Sequence, residues 1–310
     1  MAGIGVIRPG VAGIGGLCGG VAALPYLVAP SGSLGALILV YLTQLPLFAA
    51  GLSLGVSAAA IAGVVGSMIV VSADTLPAAA VFAGLNVIPV VLLVRQALLA
   101  RTGAGGAIDW YPPGLLSAWL TGLGLAVIAA AVLLLGGPDG MRAALHEALA
   151  PALERGVDGN GPGRDELLDF VGFVLPGIIA ASWMTMTATN GILAQGLLAR
   201  FGANWRPSPE MAALSLPVWI PALLALAAVA IVLGGTARFV GVNLVIVLGI
   251  PFCLAGLAVL HTAARRLSRP AIPLVTFYVL AGVFGWPLLL VALLGVLDSS
   301  LGLRRRIAQP

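Results

Sequence analysis

The sequence predicts an all-α polytopic transmembrane helical bundle, and three observations carry that expectation. Charged residues make up only 8% of the 310 and hydrophobic ones 60%, with a mean hydropathy of +1.12. A soluble domain carries about 25% charged residues to face water, and this chain has too few. The apolar residues also come in runs of about 20, the length a helix needs to cross a hydrocarbon core of about 30 Å. Finally, one polar block, residues 136–169, interrupts the runs and holds seven of the eleven acidic residues. In lipid each segment must satisfy its own backbone polar groups, which leaves helices as the spanning element. Eight or nine spans fit in a single integral membrane domain over residues 1–310, placed in the bacterial inner membrane.

Span one covers residues 10–28. Its apolar run is longer than a signal core, and Pro30 follows Ala29 where a peptidase would cut, so the segment is retained. Pro30-Ser31-Gly32-Ser33 turns the chain. Span two (34–50) contains Pro46, and span three (52–72) follows so closely that the two are antiparallel neighbours; Asp74 marks its end. Span four (76–99) is closed by Arg95 and Arg101. Residues 108–113, Ile-Asp-Trp-Tyr-Pro-Pro, have interfacial composition, and span five is 115–135.

Within the polar block, Met141, Ala144, Leu145, Ala148, Leu149, Ala152 and Leu153 repeat at helical spacing, while Arg142, His146, Glu147 and Glu154 take the opposite face. The expectation is an extramembrane amphipathic helix and linker over 136–166, between spans five and six, lying on the membrane surface. Span six (167–198) is long, and Pro176 kinks it. Span seven is 214–233. Span eight is 239–260, followed by Arg265, Arg266 and Arg269. A last apolar segment, 271–297, is interrupted by Gly285-Trp286-Pro287 and ends in Asp298 and Arg304-Arg305-Arg306. Asp298 is expected to pair with that cluster at headgroup level.

All 15 basic residues are Arg, and several flank span ends. The positive-inside rule then puts Arg8, Arg95, Arg101, Arg200, Arg206 and Arg265 to Arg269 in the cytoplasm and the acidic block outside. Nine full crossings would export the final Arg triplet. Either they do so, or the last segment is a hairpin bent at residues 285–287.

Pro46-Leu47-Phe48 with Gly51-Leu52-Ser53-Leu54-Gly55, Asn190 with Gln195 and Arg200, Gly256-Leu257-Ala258-Val259-Leu260-His261, and the closing Gly295-x-x-Asp298 followed by Arg304-Arg305 carry a resemblance. The chain resembles the YybS-like family of bacterial integral membrane proteins. Its first half, with a small-residue first span and closely paired second and third spans, is similar to the S-components of energy-coupling-factor transporters. Leu301 and Leu303 stand where the YybS-like pattern carries aromatics before the Arg.

No catalytic constellation is visible. His146 and His261 lie in different regions, no nucleotide-binding or zinc spacing occurs, and no span holds an acid pair. The chain is therefore expected to be no enzyme and to need no metal or cofactor. Isolated cysteines inside spans, Cys18 and Cys253, read as small hydrophobes. Basic runs interleaved with aromatics are also missing, so nucleic acid is not a partner.

Two features remain. Gly15, Gly16, Gly19, Gly20 and Ala23 form overlapping small-xxx-small pairs that let helices approach closely. They serve internal packing, or they dock a partner subunit, as the S-component resemblance implies. The second feature is polar residues in mid-span: Tyr41 and Gln44, Asn86, Asn243, and the face of span six carrying Trp183, Thr187, Asn190 and Gln195. Asn and Gln in hydrocarbon must find partners. They bond between helices, or they line a pocket for an uncharged small molecule. The lack of buried Asp, Glu or Lys argues against ion coupling. Two functions follow: a transporter-like small-molecule-binding membrane subunit without its own energy source, or a non-transporting scaffold in envelope assembly. Membrane lipid is a partner in both.

Overall fold

The computed structural model describes residues 9–29, 32–137, 139–141, 143–145, 147 and 164–308. The contacts group the chain into two compact units, residues 1–116 with 185–210, and 117–184 with 211–310. Among the described residues, seven helices are long and apolar enough to cross a membrane. A shorter apolar helix and one bent helix pair accompany them; with the bent pair taken as one span the count rises to eight, the lower of the two numbers expected. Residues 139–141 and 143–145 are helical. Most of the expected amphipathic helix and its linker, 148–163, lies outside the described residues.

The first unit begins with α1 (Pro9–Val28), α2 (Leu34–Tyr41), α3 (Leu45–Leu54) and α4 (Val56–Ala73). The Ser33 hydroxyl caps α2 by accepting from the Ala36 N–H at 3.2 Å. Span two is thus two short helices in line, not one. The α3–α4 junction is a single residue, Gly55, at φ +98°, which starts span three at residue 56 instead of 52. Span four is likewise composite: α5 (Leu76–Phe82), a π-helical turn (Ala83–Val87) and α6 (Ile88–Ala97). A hairpin of β1 (Ala100–Thr102) and β2 (Ile108–Trp110) follows, where the sequence suggested only an interfacial loop. The second half of α8 (Arg164–Arg200) completes the unit.

The second unit holds most of α7 (Pro113–Leu135), the first half of α8, then α9 (Trp219–Leu233) and α10 (Gly235–Ala264). It ends with α11 (Ala271–Phe284), α12 (Pro287–Leu301) and α13 (Leu303–Ala308). At about 1.5 Å per residue, the 15 residues of α9 reach about 22 Å, short of the roughly 30 Å core. Its core joins Ala118, Ile220, Leu248 and Phe252, with Leu216 and Val296 packed against them. A Cβ on Gly256 would collide with the Val291 carbonyl, and one on Gly295 with the Phe252 carbonyl. The two contacts run in opposite chain directions, so α12 lies antiparallel to α10. Helices α11 and α12 meet at a bend of 120°, with Gly285 at φ +69° as the corner.

Candidate functional site: a polar cluster at two broken helices

Prolines create the site. Pro46 and Pro89 lack the N–H that would close a helical turn four residues back, so each loosens the ladder before it. Before Pro46 the chain makes tight turns: Thr43 N–H bonds to the Val40 carbonyl at 3.1 Å and Leu45 N–H to the Leu42 carbonyl at 3.0 Å. That shift leaves the Tyr41 carbonyl without its usual helical donor, residue 45. Pro89 releases the Leu85 carbonyl in the same way, inside the π turn 83–87. Both breaks fall near the middle of their spans, 34–54 and 76–97, at a depth where no water replaces a lost bond.

Side-chain amides of the same unit take over. Asn190 of α8 donates to the Tyr41 carbonyl at 2.6 Å and to the Met186 carbonyl at 2.8 Å. Gln44 donates to the Leu85 carbonyl at 3.0 Å. Turning either amide would face its oxygen toward a carbonyl oxygen, so these bonds fix both orientations. The remaining atoms are then unpartnered among the described residues: Gln44 Oε1, Asn190 Oδ1 and the neighbouring Thr43 Oγ1 are all buried without a hydrogen bond. Thr43, Gln44 and Asn190 are each at most 1% exposed. A buried polar atom left unpaired costs about 1–3 kcal/mol. Each of the three carries lone pairs that no described donor meets.

Of the residues expected to bind a ligand, Gln44, Asn86, Thr187 and Asn190 lie buried in this unit. Asn86 sits in the π turn beside Leu85, and Thr187 lies one turn before Asn190 on α8. Tyr41 contributes its carbonyl, while the residue as a whole is 48% exposed. Trp183 is buried on α8 but falls in the other unit. Thr43 escaped the sequence reading. The signal for it was present: a Thr-Gln pair three residues before a proline, in mid-span.

Two expected ligand residues are committed elsewhere. Asn243 belongs to the second unit, where its amide joins α10 to the turn of α8 around Pro176. Asn243 Oδ1 accepts from the Gly177 N–H at 2.6 Å, and its Nδ2 donates to the Phe173 and Phe239 carbonyls at 2.9 and 2.8 Å. Both amide hydrogens are therefore used in the fold. Gln195 lies near the end of α8 and donates to the Arg206 carbonyl at 2.8 Å. Arg206 itself, expected as a surface topology determinant, is 4% exposed. Its guanidinium donates to the Ala97 carbonyl at 3.0 Å, ending α6, and to the Tyr111 carbonyl at 2.8 Å. Burial lowers its pKa, and the two carbonyls answer part of its charge.

The glycine stripe divides by face. A Cβ on Gly19 would collide with the Ala62 carbonyl, and one on Gly15 would stand 3.1 Å from that of Ala58. Both positions pack α1 against α4, as Ala23 is also fully buried. Gly16 has nothing within 4 Å of such a Cβ, and Gly20 only Ile69 Cδ1 at 3.8 Å. At the carboxyl end, Asp298 accepts from the Arg304 backbone N–H at 2.8 Å and from its Nε at 2.7 Å. The pair is not exposed at headgroup level: its side chains are 15% (Arg304) and 3% (Asp298) exposed.

A family model described as a predicted membrane protein, DUF2232, matches residues 36–299. No curated protein and no solved structure matches the chain.

Proposed function

The chain belongs to the predicted membrane protein family DUF2232, and from that premise we propose that it is a small-molecule-binding subunit of transporter type in the cell's inner membrane. What carries the reading is the set of three buried, unpartnered acceptors at the α2–α3 break: Thr43 Oγ1, Gln44 Oε1 and Asn190 Oδ1. Transporter sites recur where mid-membrane helices are interrupted, because there the backbone and its side-chain partners are free to turn toward a substrate. The ligand of this reading offers N–H or O–H donors. It carries no net charge, since none of the polar residues gathered at the breaks is ionised and an uncompensated charge is costly at this depth. It does no chemistry on that ligand and has no energy source of its own. A membrane partner supplies the energy, in keeping with the resemblance to S-components.

The test is gentle purification of the full chain, followed by mass spectrometry of what comes with it. A small neutral molecule should accompany the wild type and be absent from folded Asn190→Leu and Gln44→Leu variants. No bound molecule, or equal retention by both variants, would defeat the reading.

A further inference from the structure

Helix α11 is the least covered long element of the second unit. It buries Ala281 alone, while Ile272, Val275, Val279 and Val283 are exposed. Between α10, α11 and α12 runs an open groove of about 490 Å³, lined by Leu260, Phe277, Leu280, Phe284, Trp286 and Leu290 among others. An apolar groove in a membrane protein would be filled by any lipid tail. The charge beside it makes this one selective. Helix α10 passes into α11 through Arg265, Arg266 and Arg269, and the sequence has no acidic residue between Glu210 and Asp298. Arg265 and Arg269 are exposed; Arg266 makes a contact of its own within the chain. The two parts adjoin: the His261 and Tyr278 rings stand 6.0 Å apart where α10 and α11 approach. Arg265 follows the groove residue Leu260 by about 7 Å of helix.

We propose that the second unit binds an anionic phospholipid here. One acyl chain fills the groove, and the phosphodiester sits at Arg265 and Arg269. Guanidinium matches phosphate oxygens with paired donors. A phosphate held at that turn brings the first acyl carbons level with Leu260 and Phe277. Trp286, at the bend, has the amphipathic ring suited to the headgroup boundary.

The experiment uses the full chain in detergent, stripped of lipid and titrated by native mass spectrometry. The probes are phosphatidylglycerol and phosphatidylcholine with identical acyl chains. The wild type should retain phosphatidylglycerol preferentially. Arg265→Gln with Arg269→Gln, both at exposed positions, should reduce that preference by about fivefold for each Arg removed. Leu280→Trp, which fills the groove from a residue 45% exposed, should weaken retention of both lipids. Equal binding of the two lipids by wild type, or an unchanged preference in the double variant, overturns the headgroup site. Unchanged retention in Leu280→Trp overturns the groove.

Discussion

Gly19 and Gly20 are neighbours in the chain with opposite tolerance for a methyl group. The first lies against the Ala62 backbone, and the second faces space bounded by one side-chain methyl. Gly19→Ala should lower stability by about 1–3 kcal/mol through overpacking. Gly20→Ala should be neutral or slightly stabilising, because Ala favours the helix. Thermal unfolding in detergent, followed by tryptophan fluorescence, separates the two. Asn243 presents the same logic in polar form. Its amide bonds the Gly177 N–H and the Phe173 carbonyl, which are each other's i, i+4 partners in α8, so Asn243→Leu removes the tie between α10 and α8 and should cost about 1–3 kcal/mol. Equal melting temperatures for Asn243→Leu and wild type would contradict this role. The sequence showed a small-residue stripe and a mid-span Asn but not their facing partners. Overlapping Gly pairs fit two faces of one helix, and an amide looks the same whether it serves a ligand or the backbone of a neighbouring helix.

Two breaks in the long elements fall just before prolines, Pro46 and Pro89, and here the sequence is most informative. Pro46, Pro89 and Pro176 are visible in it, and each loosens the turn before it. The missing knowledge is which side chain answers each released carbonyl, since those bonds join residues 41, 149 and 70 positions apart. The pairing of Gln44 with the Leu85 carbonyl is a consequence of Pro89, and that gives a test. Gln44→Leu alone should destabilise by about 1–3 kcal/mol. In a Pro89→Ala background residue 89 regains its N–H, the Leu85 carbonyl gains a local donor, and Gln44→Leu should cost clearly less. A double-mutant cycle in thermal unfolding reads the difference as a coupling energy. Additive effects would mean that Gln44 and the proline act independently.

At the scale of the whole molecule, hydropathy made the class and most span positions legible. Charge was a poorer guide, because it marks topology only where it meets water. Arg206 was counted among the cytoplasmic charges, yet it is buried and clamps the Ala97 and Tyr111 carbonyls. Arg304 was assigned to an exposed cluster, yet it is tied to a buried Asp298. The side of the carboxyl terminus must therefore come from contacts as well as from counting. Arg304 Nη1 donates to the Ala212 carbonyl at 3.1 Å. Ala212 follows Arg200 and Arg206 in the chain with no long apolar helix between them. Helix α12 starts beside Leu260, near the Arg265 end of α10, and runs back antiparallel to α10. The turn at Gly302, φ +63°, then brings α13 to the segment that carries Ala212. The 120° bend at residues 285–287 is that of either a broken span or a re-entrant loop. Three arginines at the end add a bias of about 1 kcal/mol each toward the anionic cytoplasmic leaflet. A fluorescent protein fused after Pro310 should therefore be cytoplasmic and bright, and an alkaline phosphatase fusion at the same place inactive. Active phosphatase there would mean that α11 and α12 together complete a crossing and that the Arg triplet is exported.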